Sequence, residues 1–508
     1  MIRFAGLLAF FCGLSSLGLE ILWVRLVGFA HHSVPQAFAF VLFAFLIGIA
    51  AGAHYGKRLC RDNHAPLQAA GMLLAVSGLY DILAPLVYAL VVSVPALETV
   101  VLFILVAVAS ALKGLLFPLA HELGSRGATV LGRSVSNVYF ANVLGATVGP
   151  ILVGFVLLDR LGVQASFVLL GVLSLIVGLG LLAATFSGGA KPWRLGLAGV
   201  ATLLCLVWVP ADWVVQRIAA SGRPAWEAVG NIIENRHGII YTVTRPVLAD
   251  SIYGGNVLDG DFNTSIVSNS NGIERMYALA ALRPNAKRIL VVGLSGGSWV
   301  EVLRHLPEVE RIDVVELNPG YLDLIQRYPT VRGVLHDPKV HIHEADGRQW
   351  LKQHEGRYDL IVMNTTWHWR AYTSYLLSQE FLTVLSSRLA PGGMLAFNST
   401  GSPDVMETAA QVFPHLFRYR NFIFAGHHDA RSSLAQHAHL IRLVRPNCGS
   451  QGCGSEPKLD RAIERVAHWR TEDLEMVRAG AGRPLEVITE QNMLTEYKYG
   501  RGFMALEW

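Results

Sequence analysis

Long apolar stretches dominate the first 213 residues of the chain. A helix needs about 20 apolar residues to cross the hydrocarbon core of a bilayer. Seven stretches approach or exceed that length, at about residues 4–30, 34–56, 67–92, 95–120, 134–158, 164–186 and 194–213. The first is too long to be the apolar part of a signal peptide, so we expect it to remain in the protein. The pattern predicts a helical membrane domain over residues 1–213, with about seven spans.

Small and polar residues interrupt these stretches at regular places. Glycines recur at four-residue spacing at Gly48, Gly52 and Gly56, and again at Gly145 and Gly149. This spacing lets membrane helices approach closely, so we expect a packed bundle. Polar side chains at membrane depth need partners or water. Those in the predicted spans are Glu20, Arg25, Asp81, Lys113, Asn137 and Asn142. They either line a cavity for a polar substrate or connect helices to one another.

The hydrophobic pattern changes from long runs to short ones after about residue 227. Runs typical of β-strands at Ile239–Thr244 and Asn256–Leu258 predict a small antiparallel sheet, which we place within residues 227–285. Gly, Pro and Asp residues between them are typical of turns.

Longer units follow, in which strands and helices alternate. The strand-like runs lie at Arg288–Val292, Arg311–Glu316, Val340–His343, Tyr358–Met363 and Met394–Asn398. Helical patterns such as Trp299–His305 and Ser378–Leu389 separate them. This alternation predicts a doubly wound, mostly parallel, Rossmann-like α/β domain over residues 286–445, with a C-terminal extension over residues 446–508.

Composition supports this division of the chain. Of the 508 residues, 52% are hydrophobic and 16% are charged, whereas soluble proteins carry roughly 25% charged residues. Residues 1–212 contain only 18 of the Asp, Glu, Lys and Arg residues. A single soluble domain is therefore excluded. The net charge of +4 is small and no basic block is present, so we expect no nucleic-acid partner.

The run RILVVGLSGGSWVEVLRHL, residues 288–306, predicts a buried strand, a glycine-rich turn and a helix. Glycines in such a turn let the backbone approach a ligand at the start of the helix. Gly293, Gly296 and Gly297, together with Ser295, are the candidate binding residues of this turn.

Two acidic residues follow neighbouring strands. Glu316 ends the strand in VVELNPG, where a carboxylate accepts hydrogen bonds from ribose hydroxyls, and Asp346 and Gly347 follow the next strand in EADGRQWL. Because the carboxyl ends of parallel strands meet at one edge, these residues predict a nucleoside site there. The alternative is that the acidic residues are merely solvated. A nicotinamide dehydrogenase would share the first two elements but not the Asp-Gly.

The late block LLSQEFLTVLSSRLAPGGMLAFN resembles the end of the S-adenosylmethionine-dependent methyltransferase fold. The segments ENRHGII at 234–240 and VLDGDFNTS at 257–265, then the glycine-rich turn, VVELNP, EADG and YDLIVMN, follow the order seen in spermidine synthases, the polyamine aminopropyltransferases. LGLEILWVRLVG at 17–28 and NVYFANVLGATVGPILVGF at 137–155 resemble the bacterial proteins in which a multipass membrane domain is fused to such a module.

The resemblance implies roles for individual residues. Glu316 would hold the ribose hydroxyls and Asp346 the adenine amino group, while the Gly293–Gly297 turn would hold the tail of the substrate. Asp259 and Asn263 would lie near the nucleoside. The implied substrate is S-adenosylmethionine or decarboxylated S-adenosylmethionine.

The chain departs from the family where the amine acceptor would bind. Asn364 and Trp367 occupy the places of two carboxylates after the fourth strand, and neither can act as a general base. Ser295 stands where the family's glycine-rich loop has Asp. Ile273, Glu274 and Arg275 replace its Tyr-His-Glu. We therefore expect an acceptor other than putrescine.

An aromatic segment, TTWHWRAYTSYLLSQEF at residues 365–381, follows Asn364. One interpretation makes it a lid, with His368 as the candidate base and Arg370 directing a carboxylate or phosphate. The other makes it a structural loop that packs on the membrane domain. His427 and His428 are adjacent and would face opposite sides of a strand, so we expect no metal site.

These observations favour a membrane-embedded transferase of the spermidine synthase type that releases methylthioadenosine. Two alternatives stay open: a lyase or cyclase acting on the nucleoside alone, and a transporter or sensor that binds the nucleoside without chemistry. The expected partners are the lipid bilayer, a small adenosyl substrate and a possible second copy of the chain.

The distribution of basic residues predicts the orientation in a bacterial inner membrane. With the N-terminus in the cytoplasm, the loops on that side carry Arg3, Lys57, Arg58, Arg61, Arg126, Arg133, Lys191 and Arg194, against Arg160 alone on the other side. An odd number of spans then places residues 214–508 on the periplasmic side. If the weakest stretch, 194–213, lies flat or re-enters instead, these residues are in the cytoplasm, where adenosyl substrates are made. Cys448 and Cys453 are either a small disulfide, which that compartment permits, or two free thiols.

Overall fold

The computed structural model describes residues 2–62, 65–126, 130–185, 209–246, 248–449 and 452–503. Six of the described helices are long and apolar enough to cross a membrane. They are α1 (Ile2–Ala30), α2 (Pro35–Asp62), α3 (Pro66–Val91), α4 (Pro95–Ser125), α5 (Leu131–Leu152, continued by a π-helical turn to Arg160) and α6 (Gly162–Thr185). The predicted span at 194–213 falls largely outside the described residues.

Glycines bring the backbones of these helices into contact. A Cβ atom at Gly52 of α2 would lie 2.2 Å from the carbonyl oxygen of Ala111 in α4. One at Gly145 of α5 would lie 1.9 Å from the carbonyl oxygen of Phe10 in α1. Any side chain there would separate the helices, so the prediction of close packing through glycine is confirmed.

Polar residues of the bundle bind one another. Lys113 Nζ lies 2.6 Å from Asp81 Oδ2 and donates a hydrogen bond to Ser77 Oγ, and all three residues are buried. Asn142 Nδ2 donates to the carbonyl oxygen of Ala9 on another helix, at 3.1 Å. These groups connect helices, as the second of the two sequence interpretations expects.

A small antiparallel sheet with the order β1-β2-β3-β4 packs against the bundle. After the short helix α7 (Trp213–Ala220), its strands are β1 (Ala228–Asn235), β2 (Gly238–Thr244), β3 (Ser251–Gly254) and β4 (Val257–Asp261). Arg25 of α1 donates to the carbonyl oxygen of Asn235, and Glu234 Oε2 accepts from the Val163 N–H of α6 at 2.9 Å. The sheet therefore joins the helical half to the rest of the chain.

A seven-stranded sheet forms the second half, with the order β10-β11-β9-β8-β5-β6-β7. Its strands are β5 (Arg288–Val292), β6 (Arg311–Glu316), β7 (Val340–Glu344), β8 (Tyr358–Met363), β9 (Leu389–Asn398), β10 (His415–Tyr419) and β11 (Phe422–Gly426). Strands β5 to β9 are parallel, and β10 and β11 are antiparallel. The predicted Rossmann-like fold is confirmed.

Helices lie between and after these strands. They are α8 (Glu274–Leu282), α9 (Ser298–Leu303), α10 (Gly320–Ile325), α11 (Gly347–Gln353), α12 (Ser374–Leu377), α13 (Gln379–Ser387), α14 (Pro403–Ala410), α15 (Arg431–His437), α16 (Glu456–Ala467), α17 (Leu474–Gly480) and α18 (Leu494–Tyr497), with 3₁₀ turns at Arg332–Leu335 and Ala438–Leu443. Two apolar clusters cover the two faces of the sheet.

The structure corrects one strand and adds others. We expected the Ala-Pro-Gly-Gly run to precede a strand at Met394–Asn398, but β9 begins at Leu389, which pairs with Tyr358. A register shift before Met394 accommodates the Gly-rich run within the strand. The sequence pattern missed β1, β3, β10 and β11.

Residues near the C-terminus close the structure in two places. Cys448 and Cys453 form a disulfide, the first of the two sequence alternatives. Phe503 returns to the bundle, where its ring stacks on His31 at 4.1 Å and on Phe40 at 4.7 Å between centroids. The far end of the chain therefore contacts the helical half.

Candidate functional site

Glu316 holds the glycine-rich turn against the end of its own strand. Its Oε2 accepts a hydrogen bond from the Leu294 N–H at 2.7 Å, and its Oε1 accepts from the Asn318 N–H at 2.8 Å. Gly293 has a φ of +90°, and a Cβ there would lie 2.8 Å from the Asn364 carbonyl oxygen. Glycine is required because the turn is both left-handed and pressed against the end of β8.

The Glu316 carboxyl group has an unusual acidity. Its pKa is raised to about 7, mainly by burial and also by the negative charge of Asp259, while hydrogen bonds from backbone N–H groups, chiefly those of Asn318 and Leu294, oppose the change. A carboxyl group that titrates near neutrality at the end of a parallel strand is a candidate functional group.

Asp259, at the end of the small sheet, lies beside this turn. Tyr321 of α10 donates a hydrogen bond to its Oδ2, and Ser295 Oγ donates to its carbonyl oxygen at 3.1 Å. Burial raises the pKa of Asp259, and the Arg370 guanidinium and hydrogen bonds from Tyr321 and Ser295 act in the opposite direction. The structure therefore brings Asp259, Ser295 and Glu316 together.

The other residues predicted to bind the nucleoside, Asp346, Gly347 and Asn263, form contacts that are separate from those of Glu316 and Asp259. Asp346 caps α11 by accepting from the Gln349 N–H at 2.9 Å, at the end of the strand adjacent to Glu316. A Cβ at Gly347 would lie 2.8 Å from Val292 Cγ1. Asn263 uses its amide within its own loop, where Oδ1 accepts from the Ser265 N–H at 3.0 Å.

A cavity of about 150 Å³ opens next to the turn, between the small sheet and the ends of β8 and β9. Asn364 and Trp367, which stand in the places of two family carboxylates, both line it. The lining residues are Leu258, Asp259, Gly260, Asp261, Ser270, Asn271, Arg275, Trp299, Asn364, Thr365, Thr366, Trp367, Asn398, Thr400 and Asn421. Amide and hydroxyl groups predominate over carboxylates on the β8 and β9 side.

The aromatic segment after Asn364 packs on the helical half. The Ala371 N–H donates to the carbonyl oxygen of Ser33, in the turn between α1 and α2, at 2.9 Å. The buried Trp369 ring lies edge-on to His32, with 6.5 Å between centroids. Trp367, from the same segment, lines the cavity. The segment thus joins the bundle to the cavity and combines features of both interpretations.

His368 and Arg370 have different positions. His368 is not among the residues that line the cavity. Its Nδ1 lies 2.8 Å from the Oγ1 of Thr400, and burial lowers the pKa of His368. Arg370 donates to Thr366 Oγ1 at 2.6 Å and to Ser33 Oγ at 3.4 Å, and its charge influences Asp259. Their catalytic roles stay predictions.

Sequence reasoning missed several residues of this region, among them Tyr321, Thr400 and Ser33. Tyr321 directly follows the VVELNPG run, so its position was a usable signal. Thr400 and Ser33 lie in loops without a motif, and Ser33 is separated from Arg370 by 337 residues. In the described part of the chain, no group of three or more His, Cys, Asp or Glu side chains is placed to hold a metal ion.

The comparison with known proteins agrees with this geometry. Residues 276–414 match the family model described as "Spermine/spermidine synthase domain". Residues 276–414 therefore resemble a spermine/spermidine synthase domain, and we refer to them as the synthase domain. This synthase domain contains the glycine-rich turn, Glu316, Asp346 and Asn364.

The chain is similar to curated proteins named polyamine aminopropyltransferase. The Mycobacterium tuberculosis protein is 26% identical over an alignment of 417 residues, and the match covers 78% of this chain and 77% of the relative. That share exceeds the part of the chain after Thr185, so the similarity extends into the helical half. The Agathobacter rectalis protein is 34% identical over 124 residues, 24% of this chain and 43% of the relative.

Two solved structures are among those to which the chain is similar. Spermidine synthase from Thermotoga maritima is 14% identical to this chain. The match covers 46% of this chain and 87% of the Thermotoga chain, with a TM-score of 0.36. Human methyltransferase-like protein 13 in complex with SAH is 22% identical to this chain. The match covers 42% of this chain and 94% of the human chain, with a TM-score of 0.28.

Proposed function

We propose that the protein is a membrane-embedded transferase that uses S-adenosylmethionine or its decarboxylated form and releases methylthioadenosine. The observation that carries this proposal is the buried Glu316, which ends a parallel strand and holds the glycine-rich turn within the synthase domain. Asp346 on the adjacent strand completes a nucleoside-binding edge. The names of the relatives support transfer of an aminopropyl-type group.

The reaction is a displacement at carbon. An amine nitrogen attacks the propyl carbon bound to the sulfonium sulfur, that carbon–sulfur bond breaks, and its electron pair stays on the sulfur of methylthioadenosine. The amine must lose a proton, for which a carboxylate is the usual acceptor. Asn364 and Trp367 line the cavity in place of carboxylates, so the acceptor differs from putrescine or gives its proton to water.

The same observation favours a second candidate, a lyase or cyclase in which the substrate's own tail is the nucleophile. Such a reaction needs no site for an external diamine, and the neutral Asn364 and Trp367 are compatible with that. Methylthioadenosine leaves in both reactions, whereas methyl transfer would leave adenosylhomocysteine.

A single assay tests these proposals. Detergent-purified full-length protein is incubated with S-adenosylmethionine or the decarboxylated form, and nucleoside products are identified by mass spectrometry. Methylthioadenosine with an elongated amine supports transfer, and methylthioadenosine without one supports the lyase or cyclase. Adenosylhomocysteine, or no product with any amine, would contradict the proposed reaction. A variant with Glu316→Gln is the control for site-dependent turnover.

We also propose that the synthase domain lies on the periplasmic side. The α1–α2, α3–α4 and α5–α6 turns contact residues that follow the bundle in the chain. The Ala371 N–H donates to the Ser33 carbonyl, the Ser221 hydroxyl to the Val92 carbonyl and the Arg236 N–H to Asp159. These turns lie at the end of the bundle opposite the basic Lys57, Arg58, Arg126 and Arg133. The positive-inside rule places the basic end in the cytoplasm.

The positions of Thr185 and Pro210 in the bundle support this orientation. Gln68, at the start of α3, donates to the Thr185 carbonyl, whereas Gln164, at the start of α6, donates to the Pro210 carbonyl. Thr185 and Pro210 therefore lie at opposite ends of the bundle, as an odd number of crossings requires. The Cys448–Cys453 disulfide is compatible with an oxidising compartment.

A further inference from the structure

Arg275 is a buried cation that lines the cavity. It lies near the start of α8 and is 8% exposed. Its Nε donates to the Gly272 carbonyl and its Nη2 to the Asn271 carbonyl, both at 2.8 Å, and its Nη1 donates to Asn421 Oδ1 at 3.0 Å. All three acceptors are neutral, and a guanidinium has five N–H groups, so donor capacity remains.

Glu274, the residue before Arg275, forms its hydrogen bonds with other side chains. Glu274 Oε1 accepts from the Tyr419 hydroxyl and its Oε2 accepts from Arg465 Nε, both at 2.8 Å. Within the described ranges, no carboxylate forms an ion pair with Arg275. Arginine is seldom buried without a partner, and although burial lowers the pKa of Arg275 to about 10, the side chain stays charged at neutral pH.

The acidic groups of the cavity wall also form hydrogen bonds with other residues. Asp261 Oδ1 accepts from Arg245 at 2.9 Å and from the Ser251 hydroxyl at 2.6 Å. Asp259 accepts from Tyr321 and lies within the influence of Arg370. The opposite wall, with Asn364 and Trp367, is neutral. Arg275 is therefore a buried guanidinium on the cavity wall whose hydrogen bonds all go to neutral acceptors, while the carboxylates near it hydrogen-bond to other groups.

We propose that Arg275 binds a carboxylate of a substrate held in this cavity. The guanidinium presents its donors as a planar fork that matches a carboxylate. This inference rests on the proposed function. The carboxylate has two possible sources: the donor, because S-adenosylmethionine keeps the carboxylate that its decarboxylated form lacks, or an acceptor of the amino-acid class. In either case the cavity selects against the substrate that lacks the carboxylate.

The test measures binding by calorimetry with the purified full-length protein in detergent. In the donor arm, S-adenosylmethionine is compared with its decarboxylated form. In the acceptor arm, protein saturated with methylthioadenosine is titrated with ornithine and with putrescine, which differ only in the carboxylate. Each titration is repeated with Arg275→Gln, and with Arg420→Gln as the control, since Arg420 is a nearby exposed arginine.

We expect wild type to bind the carboxylated member of one pair at least about tenfold more tightly, because charge-assisted hydrogen bonds are the strong ones. Arg275→Gln should remove that preference, leave affinity for methylthioadenosine within about threefold, and differ from Arg420→Gln, which should keep the preference. The arm that shows the effect identifies the source of the carboxylate.

Equal affinity within both pairs for wild type, or a preference that survives Arg275→Gln, would overturn the inference. If the glutamine variant fails to bind methylthioadenosine, Arg275→Met, which is also neutral, replaces it, and an undiminished preference in that variant has the same meaning as one in the glutamine variant. Failure of wild type itself to bind methylthioadenosine would contradict the proposed function instead.

Discussion

Adenosyl binding should depend on pH through Glu316. Ribose hydroxyls donate charge-assisted hydrogen bonds to an ionised carboxylate, and these bonds are lost when the group is protonated. Because the pKa of Glu316 is raised to about 7, mainly by burial, roughly half of the free protein is neutral there at that pH. Affinity for methylthioadenosine should be nearly constant above about pH 8 and fall roughly tenfold per pH unit below about pH 6.

The same shift lowers the stability of the ligand-free protein at high pH. From the ordinary value of 4.5 to about 7, ionising the buried group costs on the order of 3 kcal/mol. The folded state binds the proton more tightly than the unfolded state, so stability falls as pH rises through this window and the loss is complete above it. Methylthioadenosine should therefore raise the thermal midpoint more at about pH 8 than at about pH 6.

Calorimetric titrations with methylthioadenosine between about pH 5.5 and 8.5 measure the first effect. Glu316→Gln should weaken binding more than roughly tenfold at high pH and abolish the pH dependence, since each lost bond is worth roughly 1.5–3 kcal/mol. Glu344→Gln is the matched control, because Glu344 is exposed at the paired position of β7. Asp259→Asn should move the midpoint to lower pH. A flat wild-type profile from about pH 6 to 8, or an unchanged profile in Glu316→Gln, would refute the reasoning.

Three further predictions concern other parts of the chain. Asn364→Asp should not create spermidine synthesis with putrescine, measured by mass spectrometry, since the rest of the acidic lining is absent; efficient putrescine use by wild type would show that the strand is misassigned. Lys113→Met should lower the free energy of unfolding of the bundle by about 3–5 kcal/mol, measured by thermal unfolding, because it leaves Asp81 buried without its cation. A double variant that adds Asp81→Leu should recover stability, and equal instability of the two variants would contradict this. Alkaline phosphatase fused after Trp508 should be active, whereas fluorescence from a cytosol-only reporter would place the module inside.

Local patterns determined the architecture and half of the site. The apolar runs predicted the membrane-type helices, and alternating strands and helices predicted the parallel sheet, because each depends on the periodicity of neighbouring residues. The glycine-rich turn, Glu316 and Asp346 could be placed together because the carboxyl ends of parallel strands share one edge. Strand β9 was placed too late because its Gly-rich start resembles a turn and is compensated by a register shift.

Only the tertiary structure decided what surrounds that edge. Arg370 donates a hydrogen bond to Ser33 of the α1–α2 turn, which is 337 residues away in the chain. Arg275 is buried, whereas the neighbouring Glu274 accepts a hydrogen bond from Arg465. No local pattern carries these facts, since the pairing of a charge depends on which distant elements pack around it. Burial then sets the outcome physically: it raises the pKa of Glu316 to about 7 and leaves Arg275 as a desolvated cation, whereas in an extended chain both would be ordinary solvated charges.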